Sequence, residues 1–311
     1  LPGPADAILL QTLVDVLQPA IAAQQPHSNA YYSRSHAPQS PKDVDGTFAY
    51  PWWILWPEFQ KRIWHFAKTY DYVVVTDLAN YFDSIPLLGL RNRIASCGAF
   101  NETVLNFLFF LLDAFTWRPF YMPQSGVGLP QLNFDAPRLL AHAYLFPIDE
   151  ELHRRTGGDF VRWMDDINCG VADMESARHL LRGLEIVLNS LGLRLNSGKT
   201  TILRTEDALA HFGVRENQYI TVLTNILKAT TVGSPTWLKV RHYARKRYRG
   251  FGASPGLDSG RRYTSVISRY LACCVMRHYS AMLPCCSMMS PVCGTPYAAT
   301  MACSVRTEFG F

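Results

Sequence analysis

Asp165 and Asp166 stand side by side in Phe160-Val-Arg-Trp-Met-Asp-Asp-Ile-Asn-Cys-Gly-Val171, and Asp77 closes a second apolar stretch, Tyr72-Val-Val-Val-Thr-Asp77. Adjacent carboxylates repel each other, so an apolar strand gains nothing by carrying them unless cations are near. Brought together by neighbouring strands, the three would make a hard oxygen site suited to Mg2+. Two such ions ~3.5–4 Å apart can activate an attacking hydroxyl and stabilise the leaving oxygen of a phosphoryl transfer. Taken one at a time, each is equally well an ordinary turn aspartate. The surroundings decide between the two.

The elements that must position these residues are legible as patterns. Residues 72–77 form a short β-branched run of the kind found in buried strands. Gly157-Gly158 followed by residues 160–171 reads as a hairpin, with its tight turn at the two aspartates. Apolar residues at helical spacing predict helices near the N-terminus (Ile8, Leu9, Leu13, Val16, Leu17), over 52–70, 85–115, 133–152 and 176–191, and from Pro235 onward. The stretch 27–51, rich in Pro, Ser and Tyr, reads as loop, and 126–130 as a turn. Short strands are expected at 193–195 and, as a pair, within 212–224. This order of elements predicts an α+β sheet with helices packed on one face and helical material at each end.

Length and composition bound the answer. The 311 residues (35.1 kDa) allow one large domain or about two of ordinary size, and 48% hydrophobic against 18% charged residues excludes a disordered chain. No uninterrupted apolar run reaches the ~18 residues of a membrane span; the best, 104–112, is broken by Asn106. With no signal-like N-terminus, the expectation is a soluble, cytoplasmic protein without a membrane partner. The chain opens on Leu1 rather than Met, as a trimmed or partial sequence would. Net charge is only +5, but residues 239–249 hold six Lys or Arg: Lys239, Arg241, Arg245, Lys246, Arg247 and Arg249. Such a block suits a polyanion held on one side, or else a solvated helix face. Six of the eight cysteines fall between Cys273 and Cys303 without C-x-x-C pairs, so tolerated thiols are expected there rather than zinc ligands.

Four segments together resemble the reverse transcriptase family. Val73-Val-Val-Thr-Asp77-Leu-Ala-Asn-Tyr-Phe82 looks like motif A, Gly128-Leu-Pro-Gln131 like motif B, and Trp163-Met-Asp-Asp166 like the Y-x-D-D box of motif C with Trp in the Tyr place. Leu193-Arg-Leu-Asn-Ser-Gly-Lys199-Thr200 looks like motif D, and the four follow in the family's order. The resemblance implies a right-hand polymerase of α+β class. Residues 1–70 would hold an N-terminal extension and fingers, 71–228 the palm with its antiparallel sheet and interleaved fingers, and 229–311 a short basic, helical thumb with the Cys-rich tail.

The resemblance further implies an RNA-directed DNA polymerase that takes dNTPs, an RNA template and a DNA, RNA or protein primer. Asp77, Asp165 and Asp166 would bind two Mg2+ ions (Mn2+ as a substitute), with the carbonyl of Leu78 as a backbone ligand. Phe82 would be the steric gate against a 2′-hydroxyl, Gln131 would touch the incoming nucleotide or template, and Lys199 would neutralise or protonate pyrophosphate. Arg34 would clamp the triphosphate, with Lys61, Arg62 and Lys68 as other candidates. The basic block 239–249 would grip template–primer phosphates. Arg162 would hold the primer or pair with a palm carboxylate, and the cluster Trp52-Trp-Ile-Leu-Trp56 would stack bases or fill the core.

After Gln131 the sequence runs Leu-Asn-Phe134-Asp135, unlike typical retroelement enzymes and more like bacterial abortive-infection and other defence-associated reverse transcriptases. An anti-phage role is therefore expected, with a defence-system partner protein or a second copy as further partners. No maturase, nuclease or RNase H extension is recognisable, which fits that expectation. The alternatives are a retron or group II intron enzyme, an RNA-dependent RNA polymerase, and a catalytically silent scaffold that binds nucleic acid.

Overall fold

Among the described residues, five strands form one sheet in the order β1-β3-β4-β2-β5. They are β1 (Ala30–Tyr31), β2 (Tyr72–Thr76), β3 (Phe160–Trp163), β4 (Asp166–Val171) and β5 (Thr201–Arg204). All neighbours are antiparallel except β1 and β3, which pair in parallel. The computed structural model describes residues 3–32, 52–116, 121, 126–131, 134–231 and 233–252. The chain divides into two units, Leu1–Ala208, which contains the sheet, and Leu209–Phe311. The Cys-rich tail and Arg34 lie outside the described residues.

The helices are α1 (Pro4–Ala23), α2 (Trp52–Thr69), α3 (Tyr81–Ser84), α4 (Leu87–Ala95), α5 (Glu102–Phe115), α6 (Asp135–Tyr144), α7 (Phe146–Thr156), α8 (Met174–Ser190), α9 (Thr205–His211), α10 (Val214–Ala229) and α11 (Pro235–Gly252). Within the first unit, helices lie on both faces of the sheet rather than on the single face expected. Strand residues alternate between faces, and β3 shows the two sides at adjacent positions. Trp163 packs its ring on Trp56 and Phe59 of α2, while Arg162 points the other way to Asp149 of α7. In β4, Ile167, Cys169 and Val171 join the main core with Leu180, Leu184 and Leu188 of α8. Gly170, on the opposite face, lets the ring of Tyr70 lie flat against the strand.

Four local expectations change. Residues 212–224 are not strands: the β-branched run Ile220-Thr-Val222 reads as β, but Leu223 and Leu227, one turn apart, are buried in helix α10, and burial outweighs weak local propensity. At 193–195 only one bridge forms, Leu78 with Leu195, and the full strand comes later as β5. The stretch expected to be loop contains β1, which pairs Ala30 with Arg162 and Tyr31 with Trp163.

Helix α1 is the fourth change. With 20 residues and only Asp6 and Asp15 charged, it is long and apolar enough to cross a membrane by length and composition. The buried stripe is Leu10, Val14, Leu17 and Ile21, part of the same core as α5 and α6, whereas Ile8 and Val16 of the expected stripe face outward. One stripe of α1 thus packs in the core while the rest of its surface is partly or fully exposed.

Two stability predictions follow from this packing. A Cβ on Gly170 would stand 2.4 Å from the Tyr70 ring, whose hydroxyl donates to Asp159. Gly170→Ala should therefore destabilise the protein by about 1–3 kcal/mol, read as a fall in Tm. His142 of α6 is fully buried between the rings of Tyr32 and Phe146, with Nε2 3.2 Å from Gln25 Oε1. Burial first, and the charge of Arg162 second, hold its pKa well below the ordinary 6.5. The unfolded chain takes up this proton below pH ~6.5 and the folded chain does not, so its contribution is complete above that pH and shrinks below it by up to ~1.4 kcal/mol per pH unit. Urea titrations at pH 7.5 and 5.5 should show a larger acid loss for wild type than for His142→Gln.

Candidate active site

The last residue of β2, Thr76, pairs with Ile167, so Asp77 continues that register to the level of Asp166. Asp77 is 5% exposed. A tight turn over 196–200 clamps it: Asn196 N donates to Asp77 O at 2.8 Å, and Thr76 Oγ1 and Thr200 Oγ1 meet at 2.7 Å. On the side chain, Lys199 Nζ reaches Asp77 Oδ2 at 2.6 Å and Asn196 Nδ2 reaches the same oxygen at 3.2 Å. The bridge between Leu78 and Leu195 is bonded through Asp77 O and Ala79 N, so neither bond uses the Leu78 carbonyl.

Trp163 pairs with Asp166, which leaves Met164 and Asp165 as the two-residue turn between β3 and β4. The turn thus sits one residue earlier than expected, and Asp166 is the first residue of β4. Met164 has φ 55°, the left-handed region where such turns favour glycine. A side chain there persists only where its surroundings hold it. Arg162 does so: its Nη1 donates to Met164 O at 3.1 Å, while Nε and Nη2 grip Asp149 Oδ1 and Oδ2 at 2.6 Å each. Of its two expected partners, Arg162 therefore has a carboxylate, that of Asp149. Burial pushes the Asp149 carboxyl upward and Arg162 opposes it.

Asp165 comes within hydrogen-bonding reach of Asp77. Burial is the main force pushing its pKa up to about 6; its own backbone N–H pulls down, the charge and hydrogen bond of Asp77 add to the rise, and Lys199 again pulls down. Two carboxyls from segments far apart in sequence thus meet beside an ammonium group. Oxygen donors crowded in this way have the chemistry of a hard divalent-cation site. Asp166 is exposed, and among the described residues no group of three or more His, Cys, Asp or Glu is gathered to hold an ion.

The other expected residues are placed as follows. Phe82 is half-buried on α3, edge-on to Tyr81 at 5.5 Å, and its carbonyl accepts from Leu129 N at 2.8 Å. With Gly128 N on Ile85 O and Leu87 N on Gly126 O, these bonds tie segment 126–129 to segment 82–87. Gln131 is exposed just beyond. Lys61 and Arg62 line a cavity of about 580 Å³ with Glu58, His65, Phe66 and Asp159. That cavity borders the start of β3, the opposite end of the strand from the aspartates, so these two cations are remote from the turn. Lys68 is exposed near the end of α2.

In the second unit Lys239 is exposed, and Arg241 lies over the Trp237 ring at 5.2 Å. Arg245, Lys246, Arg247 and Arg249 are on α11, and their side chains lie outside the described residues, as do those of Trp52 and Trp53. Trp56 packs on Phe59 and Trp163, as a core residue does.

Sequence reasoning passed over Asp149 and Asn196. Asp149 had a signal: an arginine inside the apolar run Phe160-Val-Arg162-Trp demands a buried acid, and Phe146-Pro-Ile-Asp149 offers one in an apolar setting.

Comparison with known proteins gives three results. The family model described as "Reverse transcriptase (RNA-dependent DNA polymerase)" matches residues 7–232. No curated protein matches. A solved structure of apo telomerase from Candida tropicalis is similar at 12% identity and a TM-score of 0.44, covering 63% of this chain and 37% of that one. This chain thus spans little more than a third of the telomerase chain. Since the family model covers well over half of the chain, including Asp77, Asp165, Asp166 and Lys199, the chain belongs to the reverse transcriptase (RNA-dependent DNA polymerase) family.

Proposed function

We propose that this chain is a nucleotidyltransferase, an RNA-directed DNA polymerase that adds deoxynucleotides to a primer 3′ end. The observation that carries the reading is the meeting of Asp77 and Asp165 beside Lys199 in a chain of this family. In the reaction, the 3′ oxygen attacks the α-phosphorus, one P–O bond forms, the bond to the bridging oxygen breaks, and pyrophosphate leaves.

Asp77, Asp165, Asp166 and the carbonyl of Leu78 would hold two Mg2+ ions, or Mn2+ in their place. When bound, such ions lower the pKa of the attacking hydroxyl and neutralise charge on the leaving group. Lys199, 51% exposed on its turn, supplies the ammonium that neutralises or protonates pyrophosphate. The Phe82 ring, fixed by the bond between its carbonyl and Leu129 N, bars a 2′-hydroxyl. Gln131 contacts the nucleotide or template, Arg34 the triphosphate, and the basic residues of 239–249 the template–primer phosphates.

The setting we propose is anti-phage defence in the cytoplasm, supported by the segment after Gln131 that departs from retroelement enzymes. A partner protein of that system, or a second copy of the chain, belongs to the same proposal.

Full-length protein with dNTPs, Mg2+ and a primed RNA template should extend the primer. Asp165→Asn/Asp166→Asn should lower extension by more than about a hundredfold with an unchanged circular dichroism spectrum. Undiminished extension by that variant would sink the assignment. Wild type should strongly prefer dNTPs, and Phe82→Ala should raise relative NTP use about ten- to a hundredfold. A wild type that prefers NTPs would replace this reading with an RNA polymerase.

A further inference from the structure

The most deeply buried ion pair among the described residues is Arg162 with Asp149, both side chains at 0% exposure. Burying two charges is costly, and a well-packed apolar pair of similar size is often as stable or more so. Stability alone therefore does not explain why an arginine occupies the centre of this core. Its hydrogen bonds do. Nε and Nη2 are locked on Asp149 of α7, and Nη1 is left to hold Met164 O, the carbonyl of the peptide that joins Met164 to Asp165.

Fixing that carbonyl fixes the plane of the peptide from which the Asp165 side chain departs. It also holds Met164 at φ 55°, a conformation that a methionine does not favour by itself. The strand leading into the turn is pinned as well: Arg162 N donates to Asn29 O at 3.0 Å, and Tyr31 pairs with Trp163. Every contact of the guanidinium thus either anchors it or sets the aspartate-bearing turn.

We infer that Arg162 and Asp149 are positioning residues: the pair holds the Met164–Asp165 turn so that the carboxylates of Asp165 and Asp166 meet divalent cations together with Asp77. The inference rests on the proposed role of the three aspartates and names what keeps them in place.

The test measures Mn2+ binding to the full chain by electron paramagnetic resonance, together with Tm. The variant Arg162→Met/Asp149→Leu removes both charges and refills the volume. A positioning role predicts a Tm close to wild type with Mn2+ affinity weakened roughly 10- to 100-fold. A merely structural pair predicts wild-type affinity wherever the fold survives. Arg162→Lys, which keeps a charge for Asp149 but loses the planar fork that serves acid and carbonyl together, should weaken Mn2+ in the same direction, and it decides the matter if the double variant fails to fold. Wild-type affinity in the folded variants overturns this inference while leaving the aspartate site intact. Wild type that binds no Mn2+, or Asp77→Asn that binds as wild type does, overturns the metal reading and this inference with it.

Discussion

Two carboxyl groups held within hydrogen-bonding reach are the condition to which the rest of the site responds. Unit charges 4 Å apart repel by ~4 kcal/mol at an effective dielectric of ~20, a sizeable share of a domain's net stability. The surroundings answer that repulsion in several ways at once. Asp165 keeps its proton up to about 6, Lys199 places an ammonium on Asp77 Oδ2, and Asn196 adds an amide N–H to the same oxygen. That compensation comes from one ammonium and one amide on a single carboxylate oxygen, and the cation site proposed above would draw on the charge that remains.

The order of strands makes this meeting unavoidable. Strand β2 lies between β4 and β5 and runs antiparallel to both, so its end meets the beginnings of the other two. Asp77 follows the end of β2, Asp165 and Asp166 stand at the start of β4, and Asn196 to Thr200 lead into β5. Three segments separated by roughly a hundred residues or less thus converge on one end of the sheet, with no bend or insertion required. The parallel edge strand β1 and helix α2 close the flank through Tyr31, Phe59 and Trp163, which fixes β3 before it enters the turn.

Much of this was legible because it is written in local patterns. The β-branched run before Asp77, the hairpin around Asp165 and Asp166 and the periodic helix ending near Gly192 each carry their own signal, and the ordered motifs bound them into one family. What escaped depends on contacts that sequence spacing does not encode. Burial of Leu223 and Leu227, one turn apart, goes with a helix where a β-branched segment read as strand, and a parallel partner made a strand of two residues in a loop-like stretch. Arg162 in its apolar run signalled a buried acid, but that the acid is Asp149, thirteen residues earlier on a helix, is settled by the packing of α7 against β3.

Exposure within the first unit divides the site by task. Arg162 and Asp149 are dry, so their attraction is hardly screened by salt and their geometry persists across solution conditions. Lys199 is half exposed and Asp166 and Gln131 face solvent, where side chains exchange partners at little cost. A group that must release one partner and take another gains from weak, screened contacts, whereas a group that sets the direction of a carboxylate gains from strong, buried ones. The gradient from Asp149 through Arg162 and Asp165 to Lys199 follows that rule: it runs from an ion pair at 0% exposure to an ammonium half exposed on its turn, as the pyrophosphate role proposed for Lys199 would require.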